Sequence, residues 1–173
     1  MSQQQSQPFL SSLSSPTTTP TISTLALPIT PNPEPNNNNT KPTLYETGLQ
    51  TRLAVVGPQH VNNTLSKTNA FTAPMQELIT EWAWGSVWNR PGLDRKQRSL
   101  LNIGMLIALD RQFELGVHVR GAIRNGLSEL EIREAVIHAT VYCGAPAGMQ
   151  GMRTVDGVLG EMEVEGEMER GLK

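Results

Sequence analysis

Residues 111–126 read RQFELGVHVRGAIRNG, and their periodicity decides how the rest of the chain is read. The stretch forms an amphipathic helix pattern closed by Asn125-Gly126, a favoured C-terminal pair. Flanked by aliphatics and by two small residues, Gly116 and Gly121, it carries Glu114 and His118 four residues apart. At about 100° per residue, Glu114, His118, Gly121 and Asn125 share one narrow face, with Arg111 and Ala122 beside it. That face sets an acid, a base and a candidate cation around a surface that Gly121 leaves open. An exposed carboxylate–imidazole pair at this spacing contributes only a few tenths of a kcal/mol. A surface pair and a chemical pair are therefore both open readings.

Outward from this helix the signals stay helical, and no convincing alternating strand pattern occurs. Upstream, DRKQRSLLNIGMLIALD starts at Asp94, a good N-cap, and sets Leu100, Ile103, Leu106 and Ile107 on a broad apolar face. It reads as a central, largely buried helix. Before it, APMQELITEWAWGSVWNR reads as one helix with Pro74 in its first turn, broken by Arg90-Pro91-Gly92. HVNNTLSKTN is a weaker helical piece, and YETGLQTRLAVVG a first helix closed by Gly57 and Pro58. Downstream, SELEIREAVIHATVYCG carries a capping box, Ser128 with Glu131, and an apolar stripe of Ile132, Ala135, Val136, Ala139 and Cys143. Pro146 opens a last helix whose many small residues suit close packing. The expected fold class is all-α.

The composition changes near residue 44. Residues 1–44 hold eight of the twelve prolines, one acidic residue (Glu34) and one basic one (Lys41). Such a segment has too little apolar surface to offset its ordering entropy, so residues 1–43 are expected to be disordered. It lacks the basic start and apolar run of a secretory signal and the arginines of a transit peptide. No apolar run approaches the roughly 18 residues of a membrane span, and a soluble cytoplasmic protein is the expectation. The formal charge of −2 gives no basic face for nucleic acid. The acidic end, residues 163–173, reads as a solvated, frayed tail.

The chemistry-bearing residues are few. Cys143 is the single cysteine, which excludes an internal disulfide and a CxxC pair; on an apolar helix face it is first a small core residue. Three histidines, His60, His118 and His138, form no ligand cluster, so no metal is expected. Trp84 and Trp88 fall on one helical face, as core, interface or pocket wall. Arg98 lies in the first turn of its helix, where it reads either as a solvated side chain or, because a cation is disfavoured there, as one held by an anion partner.

Read in order, WG-x-x-W-x-RPGL, R-S-L, E-x-x-x-H with a following N-G, and Y-C-G-x-P-A resemble the carboxymuconolactone decarboxylase family, most closely its 4-carboxymuconolactone decarboxylases. The resemblance covers about residues 44–162. It implies an orthogonal multi-helix bundle of the alkylhydroperoxidase D type, assembled as a homotrimer or homohexamer. It also implies cofactor-free decarboxylation of 4-carboxymuconolactone or a related carboxylated lactone, within aromatic catabolism. In the peroxidase branch a CxxC pair precedes the histidine matching His118; here those positions are Arg111 and Glu114, which disfavours redox chemistry. Loss of CO2 from such a lactone leaves a dienolate that must be stabilised and protonated. His118 is then the expected general acid, with Glu114 orienting it or carrying the proton itself. Arg98 or Arg111 would bind a carboxylate, and Trp88 and Cys143 would line the substrate site. Arg120, on the opposite side of the helix, is a weaker choice. Gly116, and PAG in place of PAA, depart from the family pattern and leave the substrate open. Competing readings are a lyase or isomerase for a polyketide or phenolic substrate, a non-catalytic small-molecule-binding oligomer, and a thiol peroxidase using Cys143.

Overall fold

The computed structural model describes residues 41–172, and the expected disordered segment lies outside them but for its last three positions. Among the described residues the secondary structure is helical throughout, with no strand. No helix there is long and apolar enough to cross a membrane.

Helix α1 (Leu44–Val56) begins at Thr43, whose hydroxyl accepts from the Glu46 N–H while the Glu46 carboxylate accepts from the Thr43 N–H. This capping box satisfies two amide donors that have no partner within the helix. At the other end Gly57 takes φ 88°, a left-handed conformation that favours glycine. Helix α2 (Pro58–Ser66) follows directly, then α3 (Ala73–Ile79) with Pro74 in its first turn.

The sequence suggests that α3 continues unbroken to Arg90, and here the structure differs. From Thr80 to Ser86 the turns widen into a π-helical stretch, which then tightens into a 3-10 turn at Val87–Asn89. The cause is tertiary. Helix α1 lies against this stretch backbone to backbone: a Cβ on Gly48 would strike the Thr80 carbonyl, and one on Gly85 would strike the Leu44 carbonyl. The buried Arg52 of α1 donates to the Thr80 hydroxyl at 3.1 Å, and the Asn89 amide donates to the Trp84 carbonyl at 2.6 Å and the Gly85 carbonyl at 3.1 Å. The two Asn89 bonds occupy carbonyls that a regular ladder would have paired internally.

Helices α4 (Arg95–Ala108), α5 (Gln112–Arg124), α6 (Glu129–Cys143) and α7 (Ala145–Val164) form the larger part of the fold. Asp94 and Ser128 cap α4 and α6 as their positions suggest, each in a capping box with Gln97 or Glu131. Their core joins Ile103 and Ile107 of α4, Leu115 and Val119 of α5, Ile132 and Val136 of α6, and Val155 and Leu159 of α7. A smaller core of Val55, Val56, Val61 and Trp84 lies under α1, with Val117 of α5 packed against it. The small residues of α7 do allow close packing: a Cβ at Gly148 would meet the Thr140 side chain, and one at Gly151 would meet Ile107.

Three expectations are corrected. Gly121 leaves no open surface; it is buried where α5 crosses α1, and its Cβ position is 3.1 Å from the Val55 carbonyl oxygen. Helix α4 is buried on one side only, because Leu101 and Met105 border an apolar groove of about 1260 Å3 shared with Ile137, Val141 and Tyr142 of α6. The acidic tail is docked, because arginines meet it: Glu165 and Glu167 pair with Arg120 and Arg124, and Arg170 pairs with Glu129 at 2.6 Å and Asp156 at 2.9 Å. Glu129, which is buried, also accepts from the Gly171 and Leu172 amides at 3.0 Å.

Candidate active site

Leu115, Val119 and Ala122 anchor α5 in the larger core, and Val117 turns toward the smaller one. His118 therefore lies between the two, against the π-helical stretch rather than in solvent. Its ring faces the Trp84 ring at 6.1 Å and 11°, and the Trp88 ring at 6.3 Å and 13°. The two indoles stack on each other at 5.1 Å. Asn89, by holding the Trp84 and Gly85 carbonyls, closes the segment that presents both tryptophans.

Burial and the charge on His60 outweigh the opposing charge of Glu114 and lower the His118 pKa from 6.5 to about 4. The imidazole is thus neutral near pH 7, and one ring nitrogen carries hydrogen while the other accepts. Its side-chain partner is Asn102 of α4, with amide Nδ2 3.3 Å from Nδ1 of the ring. A second polar bridge joins the same two helices, from the Asn125 amide to the Ser99 hydroxyl at 2.9 Å.

The other expected site residues are distributed unevenly. Glu114 is exposed, forms no hydrogen bond to His118 among the described residues, and acts on it only through space. Glu114 lies in the first turn of α5 and stays in solvent, whereas His118, one turn on, is half-buried beside the tryptophans. Arg98 stands one turn before Asn102 on α4. It donates from Nη2 to the Arg90 carbonyl at 2.8 Å, which ties it to the segment carrying Trp88, and its buried Nε has no partner among the described residues. An orphaned, buried guanidinium donor is a ready handle for a carboxylate. Arg111 is exposed at the start of α5. Cys143 is half-buried in the α4–α6 groove, whose lining includes neither His118 nor Trp88. Arg120 is occupied by Glu161 at 2.9 Å and Glu165 at 2.5 Å beside a separate cleft of about 750 Å3.

Asn102 escaped the sequence reading. Its signal was a polar amide inside the aliphatic run LLNIGMLIA, one turn after Arg98. Among the described residues no group of three or more His, Cys, Asp or Glu side chains is placed to hold a metal ion.

The model of the carboxymuconolactone decarboxylase family matches residues 73–156, which carry the tryptophans, Arg98, Asn102 and His118. The chain is 53% identical over 127 residues to a nitrosuccinic acid decarboxylase of Metarhizium robertsii, covering 73% of this chain and 89% of that one. The chain belongs to the carboxymuconolactone decarboxylase family. It is also 39% identical over 120 residues to the 4-carboxymuconolactone decarboxylase of Acinetobacter baylyi, covering 69% of this chain and 90% of that one. It is a carboxy-lyase of this family's type, and the helical bundle is the fold expected for it.

Proposed function

We propose that the chain is a cofactor-free decarboxylase of a small polycarboxylate whose departing carboxylate sits on a carbon beside an electron sink. Nitrosuccinate is the first candidate substrate, on the strength of the 53% identity. 4-Carboxymuconolactone, or a related carboxylated lactone, is the second. The two share one chemical problem. Release of CO2 leaves an electron pair on carbon, which spreads onto the nitro group as a nitronate or through the conjugated lactone as a dienolate. Either anion then takes up one proton on carbon. Such a reaction needs a cation for the substrate's carboxylate, a hydrogen-bond donor for the oxygen that gains charge, and a site shielded from water.

The observation that carries this reading is the His118 imidazole against two stacked tryptophans with Asn102 at its Nδ1, and, one turn before Asn102 on α4, an arginine whose buried Nε has no partner among the described residues. Arg98 holds the carboxylate, Trp84 and Trp88 wall the site, and the His118 N–H meets the developing negative oxygen. With a pKa of about 4, His118 works as a neutral hydrogen-bond donor rather than as an imidazolium acid. Glu114, on the solvent side, relays the proton, and Arg111 is placed for a second carboxylate. Cys143 is not needed for the chemistry.

The test is CO2 release from nitrosuccinate and from 4-carboxymuconolactone with no added cofactor. Turnover of one of them is expected, with a loss of about 100-fold or more in His118→Ala and retention of activity in Cys143→Ala. A folded protein that releases CO2 from neither would overturn the substrate assignment. Full activity in His118→Ala would overturn the site.

A further inference from the structure

We infer that Asn102 is a positioning residue: its side-chain amide donates to Nδ1 of His118 and fixes the imidazole as the tautomer that carries hydrogen on Nε2. The inference rests on the reading of His118 as the donor to the substrate anion. A neutral imidazole has one donor and one acceptor nitrogen, and which is which is set by the partner of either one. Asn102 Nδ2 is a hydrogen donor only, so at 3.3 Å it selects a bare Nδ1. Because the two ring nitrogens diverge, the Nε2–H then points away from α4.

The surroundings hold that choice in place. Trp84 and Trp88 lie nearly parallel to the imidazole, at 11° and 13°, an arrangement that favours this ring plane. The Asn125–Ser99 bridge at 2.9 Å pins α4 to α5, so Asn102 and His118 stay in register. Asn102 is half-buried between Leu101 and the fully buried Ile103, where an amide would pay a desolvation penalty without a partner. The arrangement is that of a ligand-orienting hydrogen bond behind a working histidine. With the opposite tautomer, Nε2 would present a lone pair to an oxygen that is gaining negative charge, which is repulsive.

Long-range 1H–15N NMR of the histidine side chains, with His118 assigned from the His118→Gln spectrum, reads the tautomer directly. In the full-length protein His118 is expected with hydrogen on Nε2. Asn102→Asp should reverse it, because a carboxylate only accepts and so draws the hydrogen to Nδ1. Asn102→Leu should give a mixture. On the substrate that the wild-type protein turns over, Asn102→Asp is expected to lower kcat at least tenfold with KM within about twofold, and Asn102→Leu to fall between. Hydrogen on Nδ1 in the wild-type protein, or an unchanged Nε2–H form in both variants, overturns the inference whether or not a substrate has been found. Reversal of the tautomer with unchanged kcat overturns the positioning role and the assignment of His118 together, while leaving the family and the decarboxylation intact.

Discussion

His118 is where burial and the proposed chemistry meet, and its charge state should be visible in stability as well as in activity. Its pKa in the folded chain, about 4, lies below the ordinary value of 6.5. As pH falls, the unfolded chain therefore takes up the proton first. The stabilisation is complete above pH 6.5, declines as pH drops from there toward 4, and levels off below that. The shift corresponds to a loss on the order of 3 kcal/mol. Urea denaturation at pH 7.5, 5.5 and 4.5 measures it, with His118→Gln as the comparison. Burial and the charges of Arg52 and Arg124 also lower the His60 pKa, so the slope of the variant should shrink without vanishing. An unchanged slope would mean that His118 takes no part in it.

At the scale of elements, the contact between α1 and the π-helical stretch shapes the site, because it sets the turn that presents Trp84 and Trp88. Gly85 has no room for a side chain against the Leu44 carbonyl, whereas Gly157, exposed in the middle of α7, has nothing within 4 Å of its Cβ position. The same substitution should thus have opposite signs. Gly85→Ala is expected to destabilise by about 1–3 kcal/mol through overpacking and to perturb tryptophan fluorescence. Gly157→Ala should stabilise by about 0.5–1 kcal/mol, since alanine loses less backbone entropy in a helix. Denaturant midpoints for the two variants decide this; a neutral Gly85→Ala would mean that the two backbones can separate freely.

At the scale of the whole molecule, the groove between α4 and α6 is an apolar face that no other part of the described residues covers. Leu101, Met105, Ile137, Val141 and Tyr142 border it, and Val141 and Tyr142 are each 77% exposed. A face of this kind favours association over solvation. The chain is expected to self-associate through it, as the trimers or hexamers implied by the family resemblance would. Light scattering at micromolar concentration should give a multiple of the 18.9 kDa chain mass, reduced by a charge placed at Val141. A single-chain mass for the unaltered protein would remove this proposal.

Local chemistry was legible in the sequence because caps, prolines and apolar spacing act within a few residues. Asp94, Ser128, Pro74 and Gly57 sit at the helix ends they announced, and the helical period of residues 111–126 settled the fold class. Order and spacing of a few side chains likewise carried the family resemblance. What stayed hidden depends on contacts between distant segments. The π-helical stretch arises from Gly48 meeting Thr80 across more than thirty residues of chain, and the docked tail from Arg120 and Arg124 meeting Glu165 and Glu167. The partner of His118 followed the same rule. Helical periodicity placed Glu114 beside it, but a carboxylate one turn away can stay in water at little cost, whereas an imidazole half-buried beside two indoles finds its hydrogen bond on whichever helix packs there. That helix is α4, and the residue is Asn102.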